Sequence, residues 1–263
     1  MHIGRLPCAC RVDLIMAGLE RSQGQNITQR IVDALGRRIV AGKYIPEETF
    51  LFEQDLIDEF GASRNAVREA VKTLAGKNMV VSARKKGTSV RPAEDWNLLD
   101  AQIIDWMIDE KSTSEKLIAA LSELRKIIEP EAAALAARKA SSKQILRLFE
   151  CYEMMVENTD DVELSVFWDA EYHKALLEAS GNPLLRSLAQ AIERLLRSNF
   201  NLFTNANEGF IRNIPDHLWI AEAIRDRDPN LARQRAADLL NKNENDIEEL
   251  KQGMDEVVLP PTA

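Results

Sequence analysis

The 263-residue sequence predicts a mainly α protein in two parts: an N-terminal winged helix-turn-helix and a C-terminal all-α antiparallel helical bundle. Three observations lead there. Within residues 25–92, helical patterns are followed by two short β-prone runs around a basic turn. From Trp96 onward the apolar periodicity is helical, with no strand pattern and no glycine-rich phosphate loop. The charge divides at the same place. Residues 1–93 hold 15 Lys and Arg against 10 Asp and Glu, a net of +5, whereas residues 94–263 hold 19 against 32, a net of −13.

The elements follow in order. Residues 1–24 read as a tail. An amphipathic helix starts after Asn26, with Ile27, Ile31, Leu35, Ile39 and Val40 on one face. Gly42 ends it and Tyr44-Ile45-Pro46 turns the chain. A short helix over 53–60 carries Leu56, Ile57 and Phe60, and Gly61-Ala62 breaks it. Ser63 is placed as N-cap of a helix to about residue 77, whose apolar face is Ala66, Val67, Ala70, Val71 and Leu74. Met79–Ser82 and Thr88–Arg91 flank the turn Arg84-Lys85-Lys86-Gly87 as a small hairpin, closed by Pro92. Residues 93–112 read as a linker and connecting helix, 113–252 as the bundle and 253–263 as a C-terminal tail. Helical segments are expected near 96–109, 113–139, 141–158, 161–180, 183–204, 207–227 and 229–252. Gly181-Asn182-Pro183 and Asp228-Pro229 separate neighbours, and Pro130 is expected to kink its helix.

Composition narrows the function classes. With 45% hydrophobic and 29% charged residues the chain is a folded one. No run of 18 apolar residues predicts a membrane span, and Arg11 and Asp13 interrupt the N-terminal apolar stretch, unlike a signal peptide. Three cysteines make no disulfide framework, which suits a reducing cytoplasm. Cys8-x-Cys10 lacks the second pair that a zinc site needs.

The basic third has the chemistry of a DNA reader. Ser63, Arg64 and Asn65 open a helix, where backbone N–H groups and the helix dipole favour a phosphate. Arg64 and Arg68 are four apart and share a face that fits a major groove, where an arginine meets both acceptors of a guanine edge. Lys72 would reach a flanking phosphate, and Lys86 and Gly87 at the wing tip can approach the backbone or minor groove. Two arginines alone would be a solvated face; the ordered context makes them a binding surface.

Here the sequence resembles the GntR family of bacterial transcription regulators. The likeness rests on Ala41-Gly42-Lys43-Tyr44-Ile45-Pro46, Glu53-Gln54-Asp55-Leu56, the run from Phe60 to Ala70, and Lys86-Gly87-Thr88-Ser89-Val90. It implies operator contacts at Arg64, Arg68 and the Lys86-Gly87 wing tip. The family's Leu-Pro-x-Glu-Arg segment stands here as Leu51-Phe52-Glu53-Gln54, so Gln54 replaces an arginine that touches the operator in some members.

The acidic bundle carries a second constellation. His173 follows Asp169 by four residues on one helix face, and His217 lies two helices later. Carboxylate and imidazoles projecting inward are how bundles build metal sites, although an i,i+4 Asp/His pair alone is usually a surface hydrogen bond. The motifs Leu124-Arg125-x-x-Ile128-Glu129-Pro130, Asp169-x-x-x-His173, Ser180-Gly181-Asn182-Pro183 and Asp216-His217 are similar to the FadR-type effector domain, FCD. That resemblance implies an effector-binding and dimerisation domain with a divalent metal, often zinc, on one Asp and three His. Three ligands match Asp169, His173 and His217; the fourth falls on Leu239, which cannot coordinate, so water or effector would complete the shell.

Arg125 is placed to clamp an acid bidentately, against the alternative of an ordinary exposed helix arginine. Asn199 and Asn213 are further effector candidates. Trp96–Asp100, Ile104–Met107 and the stretch from Leu124 to Ala137 resemble family members that respond to sugar acids. No HExxH, nucleophile elbow or catalytic carboxylate pair appears. The expected function is a cytoplasmic, homodimeric repressor released from a palindromic double-stranded operator by a small carboxylate. The competing readings are an acyl-CoA or other organic-acid sensor of the same fold and a metal-dependent enzyme.

Overall fold

A computed structural model describes residues 26–48, 50–83, 87–198 and 207–256, and the chain divides into two compact units between Asn97 and Leu98. In the first unit, α1 (Ile27–Val40) is capped by Asn26, whose side chain accepts from Thr28 N–H at 3.2 Å. Ile31, Leu35, Ile39 and Val40 are buried as the periodicity requires. They pack against α3 (Arg64–Gly76), which buries Ala66, Val67, Ala70 and Leu74 and leaves Val71 half-buried. Between them lies α2 (Glu53–Phe60), closed by Gly61 in the left-handed conformation, φ 57°. That reversal brings Ser63 to the cap of α3, its Oγ accepting from Ala66 N–H at 3.3 Å.

The wing differs from a two-stranded hairpin. β2 (Val80–Ala83) and β3 (Gly87–Val90) pair antiparallel, Val80 opposite Val90 and Ala83 opposite Gly87. A third strand, β1 (Phe50–Leu51), pairs on the other side of β3, giving the order β1-β3-β2. Two residues are too few for any alternation to show in sequence. Because β1 runs into α2, the sheet fixes where that helix begins. Gly87 has φ 91°, and a Cβ there would lie 3.3 Å from the Phe52 ring and 3.4 Å from the Leu51 carbonyl oxygen. Glycine is therefore required by the fold itself at this wing position.

The second unit is helical throughout its described residues: α4 (Ala101–Asp109), α5 (Lys111–Lys139), α6 (Ser142–Glu157), α7 (Val162–Ala179), α8 (Pro183–Ser198), α9 (Asn207–Arg225) and α10 (Pro229–Glu256). These correspond to the seven periodic segments. α10 runs into the stretch read as a tail, and α5 continues through Pro130. The starts are locally encoded. Asp100, Asp161 and Asp228 cap their helices through side-chain oxygens, and Ser141 with Gln144 forms a capping box. Asn182 precedes Pro183 and Asp228 precedes Pro229, proline being suited to the first helical position.

Ala132, Ala133, Ala134, Ala136 and Ala137 are all buried, and their small side chains let α5 pack on α7, α9 and α10. Leu148, Cys151 and Met155 of α6, Tyr172 and Leu176 of α7, and Ile220 and Ile224 of α9 fill one core cluster. Burial pushes the Cys151 thiol up to about 12, so it stays protonated as a core residue. The convergence of α5, α7 and α9 sets the geometry of the polar site between them. No helix among the described residues is long and apolar enough to cross a membrane.

Candidate functional site

Two sets of expected residues fall in separate units. In the first unit Ser63, Arg64, Asn65, Arg68 and Lys72 are all exposed at the start and along one side of α3. Their charges are already partnered by acids. Arg64 Nε lies 3.2 Å from Glu53 Oε1 and Arg68 Nε lies 2.8 Å from Glu53 Oε2. Lys72 Nζ lies 2.7 Å from Glu69 Oε1. Exposed pairs of this kind are worth about 0–1 kcal/mol each, so they bias the side chains without locking them, and the pairs to Glu53 through Nε leave the Nη groups of Arg64 and Arg68 for a phosphate or a base edge. Gln54 is tied to its own helix, its amide donating to Asp58 Oδ1 at 3.0 Å. Gly87 stands at the start of β3, and Lys86 lies outside the described residues.

In the second unit Asp169 and His173 of α7 and His217 of α9 come together. Their ligand atoms are mutual neighbours: His217 Nε2 is 3.1 Å from Asp169 Oδ1, His173 Nε2 is 3.6 Å from the same oxygen, and the two Nε2 atoms are 3.4 Å apart. Both imidazoles are buried. Each is oriented through its other nitrogen. His217 Nδ1 lies 3.2 Å from the Asn213 carbonyl oxygen and 3.3 Å from that of Ile214, so a proton belongs there. His173 Nδ1 lies 2.7 Å from Glu129 Oε2, an ion-pair approach without hydrogen-bond alignment whose negative charge favours a proton on Nδ1. Arg125 Nη2 meets His173 Nε2 at 2.7 Å, a contact that needs a bare nitrogen lone pair. Tyr172 Oη donates to the His217 carbonyl oxygen at 2.7 Å and ties α7 to α9.

Two imidazole Nε2 atoms and a carboxylate oxygen therefore crowd one point, and a metal there would take the His173 lone pair that now accepts from Arg125 Nη2. Their separations bracket the ~3.3 Å between ligands of a tetrahedral ion held at roughly 2.0–2.1 Å. The residues fit a divalent metal. Asp169, His173 and His217 can hold it, and Glu129 supplies the outer carboxylate that fixes the His173 tautomer. Leu239 is buried in the apolar cluster with Tyr172 and Ile214, so α10 offers no ligand there.

The electrostatics follow the same contacts. Burial works against the charge of Asp169, but His173 and His217 outweigh it and hold the carboxyl far below its ordinary range. Burial likewise opposes ionised Glu129, and Arg125 with His173 lowers it to about 2. For His173, burial and Arg125 disfavour the cation while Glu129 and Asp169 favour it, and the balance lies above the ordinary imidazole value.

Arg125 is a buried residue, which removes the reading of an ordinary exposed helix arginine. It is not an unoccupied clamp either: its Nε is bonded to Glu129 Oε1 at 2.6 Å and its Nη2 to His173. Asn213 is buried on α9, its amide donating to Asn243 Oδ1 at 2.8 Å, and Asn199 lies outside the described residues.

Comparison with known proteins agrees with both halves of this architecture. Residues 27–90 match the model for bacterial regulatory proteins of the gntR family, and residues 120–242 match the FCD domain. The galactonate operon transcriptional repressor of Escherichia coli K12 is 33% identical over 226 residues, 86% of this chain and 98% of that protein. The chain belongs to the GntR family, with an FCD domain as its C-terminal part. A second E. coli K12 relative, the uncharacterized HTH-type transcriptional regulator YieP, is 30% identical over 82% of this chain and 93% of its own length. The solved structure of Lar, which controls expression of the Listeria monocytogenes agr system, covers 87% of this chain and 100% of its own with a TM-score of 0.60. At 20% identity that likeness speaks for the fold alone. This GntR chain is thus a DNA-binding transcription regulator and not an enzyme.

Two residues of the sites are absent from the sequence reading as functional groups. Glu129 had a signal, because it stands four residues after Arg125 on one helix face. Glu53 had none, since its partners lie on the next helix.

Proposed function

We propose that this GntR regulator is a repressor whose FCD domain binds a divalent metal, of which zinc fits the donor set, and releases a palindromic operator when a small sugar-acid-like carboxylate binds. The observation that carries the reading is the cluster of half-buried Asp169 with buried His173 and His217, both imidazoles turned Nε2-inward beside the buried Arg125. Its similarity to a galactonate operon repressor supports a sugar acid as the effector class. When bound, the metal supplies a Lewis-acid anchor for an effector carboxylate. Glu129 keeps the proton on His173 Nδ1, and the carbonyls of Asn213 and Ile214 keep it on His217 Nδ1. Arg125, held by Glu129 through Nε, would offer its Nη1 donors to the acid, and Asn213, whose amide donates to Asn243 in this structure, is a further candidate for its hydroxyls, as is Asn199, outside the described residues.

On the DNA side, Arg64 and Arg68 would read base edges. Ser63, Asn65, Lys72 and the Lys86-Gly87 wing tip would position the head on the backbone. A palindrome requires a two-fold homodimer, one head per half-site. The test is elemental analysis of the purified protein with calorimetric titration of galactonate, gluconate and glucuronate. About one metal per chain, lost in His173→Ala, and micromolar binding of one of these acids are expected. Absence of both stoichiometric metal and acid binding would overturn the sensor.

A further inference from the structure

Glu53 is the first residue of α2, and its two oxygens serve two different arginines of α3: Oε1 takes Arg64 Nε at 3.2 Å and Oε2 takes Arg68 Nε at 2.8 Å. A guanidinium carries one Nε–H and two Nη groups in a rigid plane. Guanine offers two acceptors, O6 and N7, in the major groove. The Glu53 carboxylate accepts a hydrogen bond from Arg68 Nε and pairs with Arg64 Nε as an ion contact, which biases the orientation of each guanidinium and leaves Nη donors at the outer end for a base. Both arginines keep that end open, with side chains 60% and 56% exposed. The same carboxylate also places a negative charge in the middle of a cationic face.

From this we infer that Glu53 is a positioning and specificity-determining residue of the DNA-reading face. It orients Arg64 and Arg68 together for base contacts and weakens their attraction to phosphates of any sequence. The inference rests on the proposal that these two arginines read the operator. Glu53 also sits in the first turn of α2, where an acid favours the helix dipole, so a purely structural role must be separated from this one. The two roles differ in what they move: helix stabilisation changes unfolding, whereas arginine positioning changes discrimination between DNA sequences.

The experiment uses the full chain and two duplexes, one that the wild type selects from a randomised pool and one with the same bases shuffled. Affinities for both are measured across a salt series for wild type, Glu53→Gln, Glu53→Asp, Arg64→Ala and Arg68→Ala, with thermal unfolding of each. Glu53→Gln is expected to bind the shuffled duplex several-fold more tightly, with a salt slope steeper by about one counterion. Its selected-to-shuffled ratio should fall by about tenfold at unchanged unfolding temperature. Glu53→Asp keeps the charge and the helix start but is one methylene short of spanning both arginines. It should lose the ratio while keeping the slope, and it decides the matter where Glu53→Gln unfolds the head. A wild-type ratio in Glu53→Asp together with a wild-type ratio and slope in folded Glu53→Gln overturns the inference. Arg64→Ala and Arg68→Ala test the underlying reading separately. If both retain the wild-type ratio, base reading by these arginines fails; if both lose it and the Glu53 variants do not, only the role of Glu53 fails.

Discussion

Glu129→Gln is the perturbation that most sharply probes the buried site. The carboxylate is 1% exposed, accepts from Arg125 Nε at 2.6 Å and lies 2.7 Å from His173 Nδ1 as an ion-pair contact. Glutamine has the same shape but one acceptor oxygen and no charge, so one of the two contacts becomes donor against donor. Removing one partner of a buried ion pair costs about 3–5 kcal/mol, because the guanidinium of Arg125 stays buried without its counter-ion. In a unit of this size each kcal/mol is worth about 2–4 °C, so unfolding of the metal-free chain should fall by roughly 6–20 °C. The histidine loses the group that fixes its tautomer, and outer-shell changes of this type lower metal affinity by about 10–100-fold. Both effects are measurable on one preparation, by calorimetric unfolding in chelator and by competition with a chromophoric chelator. A variant that unfolds at the wild-type temperature and competes for metal as the wild type does would refute the pairing of Glu129 with Arg125 and His173.

Acid should weaken the metal-free sensor in a defined window. Glu129 and Asp169 have folded values below their unfolded ones, so the stability they contribute is complete above about pH 5 and is lost as pH falls, for Glu129 toward about 2. His173, faced by Arg125, Glu129, Asp169 and His217, has the opposite sign. Its contribution is complete below its unfolded value of about 6.5 and fades as pH rises through the raised folded value. Urea unfolding in chelator should therefore show greatest stability near pH 5–6, and a curve that climbs steadily to pH 8 contradicts this. Leu148→Ala removes a fully buried side chain from the core of α5, α6, α7 and α9 and should cost about 2–5 kcal/mol, read as a lower urea midpoint at unchanged slope. Ser63→Ala removes the cap of α3 and should cost about 0.5–2 kcal/mol in unfolding of the head.

Much of this fold is legible because its signals are local. Ser63, Asp100, Ser141, Asp161 and Asp228 mark helix starts through contacts spanning two or three residues, and apolar spacing marks the faces they bury. Asp169 and His173 share a face by spacing alone, and the bundle brings His217 to them. What sequence does not reveal depends on contacts across elements. β1 exists only because β3 offers it an edge, and Glu53 meets its arginines across the turn at Gly61. Arg125 and Glu129 are visible as neighbours four residues apart, but their burial is set by α7 and α9, and burial turns a surface pair into the frame of the site.

The most direct test of the sensor is the linkage between its two ends. Affinity for the selected duplex should be measured at fixed salt for the metal-loaded chain, with and without the sugar acid that binds it, and repeated for His173→Ala. An acid that weakens DNA binding at least fivefold in the wild type and leaves His173→Ala bound is the expected result, and by reciprocity the DNA must weaken acid binding by the same factor. DNA affinity that does not respond to a bound acid, or a response retained in full without His173, would contradict it.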